Sequence, residues 1–192
     1  MQGSIDNILR EDLSKSIKIS KLNSFFQDVW IKWFVDFDDT ITQVNDIFYS
    51  KNKLFKDSEK YRNNWLKYFK INDDFVNLAK KLCVNEIVIL SRNYEKFLLF
   101  FIKKTEKYFE SLWIKIVGCV WSTKYFSLSS YEKMLMVPKS SYIITDMFEY
   151  KKLKKYSNVL FIEEYNVFEK YLRYIKKIFY LIRYFLYDRK VL

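Results

Sequence analysis

Histidine is absent from this 192-residue chain, and glycine, cysteine and proline are scarce, with two, two and one residues respectively. Without histidine there can be no Ser-His-Asp or Cys-His nucleophile system, no histidine-bound zinc and no imidazole base. Any chemistry must run on carboxylates, lysines and hydroxyls. Gly3 and Gly118 are too few and too far apart to build a Gly-rich phosphate loop or a dinucleotide fingerprint. Pro138 stands alone, and no Pro-rich linker divides the chain. Cys83 and Cys119 form no CxxC pair, and each sits beside apolar residues, which reads as two core side chains in a reducing setting. No stretch approaches the roughly 18 uncharged apolar residues of a membrane span, and charges interrupt the N-terminal MQGSIDNILREDLSK where a secretory signal needs an apolar run. A cytoplasmic location is expected.

Apolar side chains and positive charge are abundant instead. Half of the residues are hydrophobic, enough for a core, and 34 Lys and Arg against 23 Asp and Glu leave a formal charge of +11. That charge favours phosphate-bearing partners at long range, whether substrate, nucleic acid or anionic lipid, without choosing among them.

Short apolar runs rich in β-branched and aromatic residues occupy 31–36 (IKWFVD), 86–90 (EIVIL), 114–120 (IKIVGCV), 142–145 (YIIT) and 158–162 (NVLFI). Such runs suit strands covered on both faces. Helical patterning fills 74–83, 94–112, 129–136 and about 166–187. The alternation predicts an α/β fold with a doubly wound, Rossmann-like parallel sheet. Residues 1–30 read as an N-terminal extension with a helix around KLNSFFQDVW, 31–165 as the core, and 166–192 as a C-terminal segment.

The stretch WFVDFDDTIT, residues 33–42, ends a buried-strand pattern in three carboxylates. Carboxylates a few ångströms apart repel by several kcal/mol at an effective dielectric of about 20, so a cation is expected among them. In an extended segment Asp36 and Asp38 share a face while Phe37 turns to the core, so one acid can attack while its neighbour handles protons. Taken alone, Asp38 and Asp39 suit a helix N-cap equally well. In open α/β sheets ligands bind beyond the carboxyl ends of the strands, which is also where Ser91 and Asp146 fall.

DFDDT resembles the DxDxT signature of haloacid-dehalogenase-like (HAD) phosphatases, VILSRN resembles that superfamily's second motif, and YIITD its fourth. The three occur in the family's order and cover roughly residues 31–165. The resemblance implies a magnesium-dependent phosphomonoester hydrolase acting on a small phosphorylated substrate. Asp36 would be the nucleophile that forms an aspartyl-phosphate, and Asp38 would protonate the leaving group and then activate water. Thr40 would orient the loop, Ser91 would hydrogen-bond the phosphoryl group, and Mg²⁺ would be held by Asp36, the Asp38 carbonyl and Asp146. The family's phosphate-binding lysine has three candidates, Lys124 first, then Lys133, with Lys139 in the VPKSS turn. The fourth motif departs from the pattern: Met147, Tyr150 and Lys151 stand where a second acid is usual, and Glu149 is offset to the third position after Asp146.

Residues 43–73 read as a small cap insertion of short helices, which in the resembled superfamily covers the site and selects substrate. The C-terminal helix sets Leu172, Ile175, Phe179, Ile182 and Leu186 on one face and Arg173, Lys176, Lys177 and Arg183 on the other. This suits either the last helix of the domain packed on the sheet or an interfacial helix on an anionic membrane. The competing functional expectation is a HAD-type fold without turnover that binds nucleic acid or an anionic membrane through its basic surface.

Overall fold

The apolar runs do assemble into one parallel sheet. A computed structural model describes residues 2–44, 69–93, 95–123, 126–164 and 166–187. Its five-stranded sheet contains β1 (Trp33–Asp36), β4 (Glu86–Leu90), β5 (Lys115–Val120), β6 (Tyr142–Thr145) and β7 (Val159–Phe161), in the order β5-β4-β1-β6-β7. All four pairings are parallel. Helices α3 (Asp73–Lys81), α4 (Glu95–Ser111), α5 (Ser130–Met136) and the one-turn α6 (Tyr150–Leu153) alternate with the strands, and α7 (Val167–Tyr187) is the last element among the described residues. The fold is α/β and compatible with a Rossmann-like sheet. Strand order reverses at β1, whose neighbours β4 and β6 follow in the chain on opposite sides, and so the crevice beyond β1 and β6 is the switch point where such sheets bind ligands.

Residues read as an extension turn out to be a layer of this core. Helices α1 (Gln2–Arg10) and α2 (Lys15–Asp28) bury Ile5, Leu9, Leu22 and Phe26 almost completely. α1 packs on β5, and there a Cβ at Gly118 would lie 2.8 Å from Ile5 Cδ1. One of the two glycines is thus used where a helix side chain meets the sheet backbone. The α2 pattern was faint because Lys18 occupies a buried position, its ammonium donating to the Leu9 carbonyl at 2.9 Å.

β1 is buried along its whole length. Its alternation sends Phe34 against Phe26 of α2, ring centroids 4.7 Å apart, while Phe37 meets Phe97 and Phe101 of α4. Asp36 shares a parity with Phe34, which aims it to the side carrying α2 and α5.

Three of the helix-to-strand turns use a left-handed residue other than glycine: Trp30 (φ 53), Cys83 (φ 52) and Trp113 (φ 61). The expectation of two core cysteines is corrected here. Cys119 is buried, but Cys83 follows the last turn of α3 in this conformation and is exposed.

The expected helical insertion at 43–73 is bounded instead by an antiparallel pair, β2 (Thr42–Val44) with β3 (Phe69–Ile71). The span 45–68, with the aromatic residues Phe48, Tyr49 and Trp65, lies outside the described residues.

Candidate active site

After Asp36 the chain turns back on itself. The amides of Ile41 and Thr42 both donate to the Phe37 carbonyl, at 3.1 and 3.2 Å, and Asp39 adopts φ 61, a left-handed conformation that aspartate tolerates better than most residues. Asn72 anchors the turn from outside: its amide donates to the Ile41 carbonyl at 2.9 Å and its Nδ2 to the Asp39 carbonyl at 3.3 Å. The element that follows is strand β2, not a helix, so Asp38 and Asp39 cap no helix N-terminus. That removes the ordinary structural explanation for the acidic cluster.

Asp36, Asp38, Asp39, Arg92, Asp146, Glu149 and Tyr174 line one cavity of about 280 Å³ at the carboxyl end of the sheet. Asp36 and Asp146 are 7% and 4% exposed, so their carboxylates need partners within the fold. Asp36 Oδ1 accepts from the Phe37 amide at 2.8 Å and from Lys133 Nζ at 2.8 Å, and Thr145 Oγ1 donates to Oδ2 at 3.3 Å. Asp38 accepts from Asn93 Nδ2 at 3.1 Å on both oxygens. The same Nδ2 reaches Ser91 Oγ at 3.1 Å, and the Asn93 amide donates to that oxygen at 3.0 Å. Ser91 accepts in both bonds, which leaves its O–H to donate. Asn93 therefore ties the end of β4 to the acid of the β1 loop.

Of the two lysine candidates among the described residues, Lys133 is the one brought to Asp36. It is buried on α5, and the helix is fixed by a capping box in which Ser129 Oγ accepts from the Glu132 amide and the Glu132 carboxylate accepts from the Ser129 amide. Lys15 of α2 adds an ion pair to Glu132 at 2.5 Å. Lys139 is exposed in the turn before β6, at the opposite end of that strand from Asp146, and Lys124 lies outside the described residues.

Burial pushes the Glu132 carboxyl up, but the bonds from Lys15 and Ser129 outweigh it and hold the group below the ordinary 4.5. The native state then binds fewer protons than the unfolded chain in this range, so the stability Glu132 contributes is present above the ordinary value and lost as pH falls through the lowered one. Glu132→Gln is expected to melt below the wild type at neutral pH and to converge with it on acidification. Thermal unfolding at a series of pH values reads this directly.

Glu149 was offset in the sequence, yet it reaches the cavity wall. The 3-10 turn Met147–Glu149 that follows β6 stacks positions three apart, which sets Glu149 over Asp146 while Met147 turns into the core. Its carboxylate accepts a hydrogen bond from the buried Ser130 hydroxyl. Arg92, Asn93, Thr145, Ser130 and Tyr174 were not singled out from the sequence; only Arg92 and Asn93 had a signal, their adjacency to Ser91 in VILSRN.

Thr40 is fully buried, and among the described residues its Oγ1 has no hydrogen-bond partner. A buried hydroxyl in that state costs about 1–3 kcal/mol. Thr40→Val is therefore expected to leave the melting temperature unchanged or raise it, as measured by calorimetry.

The donor chemistry at the cavity suits a hard cation: its wall has five carboxylates against Arg92, with Lys133 behind Asp36. Among the described residues no three acidic side chains converge as a ready-made chelate. A magnesium ion here would take carboxylates from separate strand ends and complete its shell with carbonyl, water and phosphate oxygens, its usual habit. Comparison with protein-family models, curated proteins and solved structures found no match to this chain.

Proposed function

We propose that this chain is a HAD-type phosphomonoester hydrolase that works through an aspartyl-phosphate on Asp36 and uses magnesium. The observation that carries the reading is that Asp36 at the end of β1, Asp38 in the loop after it and Asp146 after β6 line one cavity at the switch point of the sheet, with Lys133 paired to Asp36.

The order of events is the one the family resemblance implies, with these residues in its roles. An Asp36 oxygen forms a bond to phosphorus as the ester O–P bond breaks, and Asp38 delivers a proton to the departing alkoxide. Asp38 then takes a proton from water, which attacks phosphorus, breaks the Asp36 O–P bond and releases inorganic phosphate. Lys133 and the Ser91 O–H balance charge on the transferring oxygens, and Asn93 holds the rotamer that Asp38 needs in both steps. Magnesium, held by Asp36, Asp146 and the Asp38 carbonyl, would supply Lewis-acid stabilisation of the phosphoryl group.

A second reading, the same fold without turnover, is favoured by the lack of a ready-made chelate among the described residues. One assay separates the two: phosphate release from an aryl phosphate with and without magnesium. The hydrolase reading expects magnesium-dependent turnover that disappears in Asp36→Asn. Absence of turnover in the wild type at any magnesium concentration overturns it.

A further inference from the structure

The C-terminal helix α7 leaves its apolar stripe exposed to solvent. A surface helix normally turns its apolar stripe inward and its charges outward. Here Phe168, Leu172, Ile175 and Phe179, which follow one another along one face, are 70%, 40%, 55% and 71% exposed. The residue tying the helix to the domain lies roughly on the other side: Arg173 Nη2 donates to both Glu163 oxygens at 2.9 Å. Asn166 fixes the helix start, its Oδ1 accepting from the amides of Phe168 and Glu169. Burial pushes the Glu163 carboxyl up, against the pull of Arg173, so its ionic grip on the helix is held at a desolvation cost. The start of the helix is thus held to the domain, and its apolar stripe is left exposed.

We infer that this stripe docks α7 in the plane of an anionic lipid surface. The helix carries Lys170, Arg173, Lys176, Lys177 and Arg183 against one acid, Glu169, and five tyrosines. Basic residues flanking an apolar stripe, with aromatic residues suited to the headgroup region, are the composition of an interfacial helix. Among the described residues no helix is long and apolar enough to cross a membrane, so the fit is to lying on the surface. Charge decides against the other occupants. A second copy would bring another chain of +11 against this one, and nucleic acid would leave the apolar stripe in water. Tyr174, on the same turn as Arg173, lines the Asp36 cavity, so a docked helix holds the cavity beside the lipid headgroups.

The test is co-sedimentation of the full chain with vesicles of phosphatidylcholine alone or with about one third phosphatidylserine. The variants are Phe168→Ser/Ile175→Ser/Phe179→Ser and, separately, Asp36→Asn. The wild type and Asp36→Asn are expected to pellet with anionic vesicles and to release at high salt, and the triple variant to bind about a hundredfold more weakly. Because the three side chains are exposed, its circular dichroism and melting should match the wild type. Docking is overturned if the wild type fails to pellet, if the triple variant pellets equally, or if the stripe instead drives self-association without vesicle binding. Aspartyl-phosphate chemistry stands or falls separately, in the aryl phosphate assay.

Discussion

Asp36→Asn is expected to lower magnesium-dependent aryl phosphate turnover by about 10⁴-fold or more, the scale seen when a covalent nucleophile is removed. The amide nearly matches the carboxylate in shape, so the cavity should persist while the oxygen that attacks phosphorus loses its charge. Stability should change little, because two effects oppose each other. Lys133 loses its ionic partner at 2.8 Å, but one of five carboxylates on a crowded wall is also removed. Asp38→Asn is expected to behave differently. An aryl oxide leaves without much protonation, so the first half-reaction survives and the second, which needs a base for water, slows by about 10²–10⁴-fold. Phosphate should then accumulate on the protein, visible as a mass increase in the intact chain. Turnover that survives Asp36→Asn, or that falls equally in both variants with no phosphorylated species in Asp38→Asn, would remove the covalent route.

Much of the architecture was readable because parallel strands covered on both faces are apolar throughout. EIVIL and YIIT are strands over the very residues their composition suggested, Glu86–Leu90 and Tyr142–Thr145. What escaped has physical reasons. β2 and β3 are three residues each and pair across a long intervening segment, so neither shows a periodicity. α2 hides its buried face behind Lys18, whose stem is apolar while its ammonium is satisfied by a carbonyl.

Within the site, the strand-end acids were legible because the backbone alone sets where they point. The pairing of Lys133 with Asp36 was not, since it depends on how α5 is capped and where α2 braces it, through Ser129, Glu132 and Lys15. Thr145 and Ser130 are single hydroxyls with no pattern around them, and each is defined only by the carboxylate it meets. For α7 the sequence supported two opposite mountings; its stripe is exposed, and Arg173 is paired with Glu163.

Lys133→Met should have the opposite signature to Asp36→Asn, with stability falling first. The Lys133 side chain is 4% exposed and the Asp36 side chain it meets 10% exposed, so removing the cation leaves a buried charge beside other acids, a change that typically costs about 3–5 kcal/mol. Methionine fills the space of the lysine stem, so the loss is electrostatic and not a cavity effect. Two consequences make this specific. First, Asp36→Asn added to Lys133→Met should recover much of the lost stability, because the carboxylate whose partner was removed is now neutral; a double-mutant cycle by urea unfolding gives the coupling. Second, if the acidic wall is a magnesium site, added magnesium should stabilise Lys133→Met through binding to the native state alone, in proportion to the logarithm of its concentration once the site is saturated. The doubly substituted chain should respond less. A small effect of Lys133→Met, with no coupling to Asp36, would mean that the pair contributes neither to the fold nor to the charge balance of the cavity, and the lysine would have to be sought elsewhere.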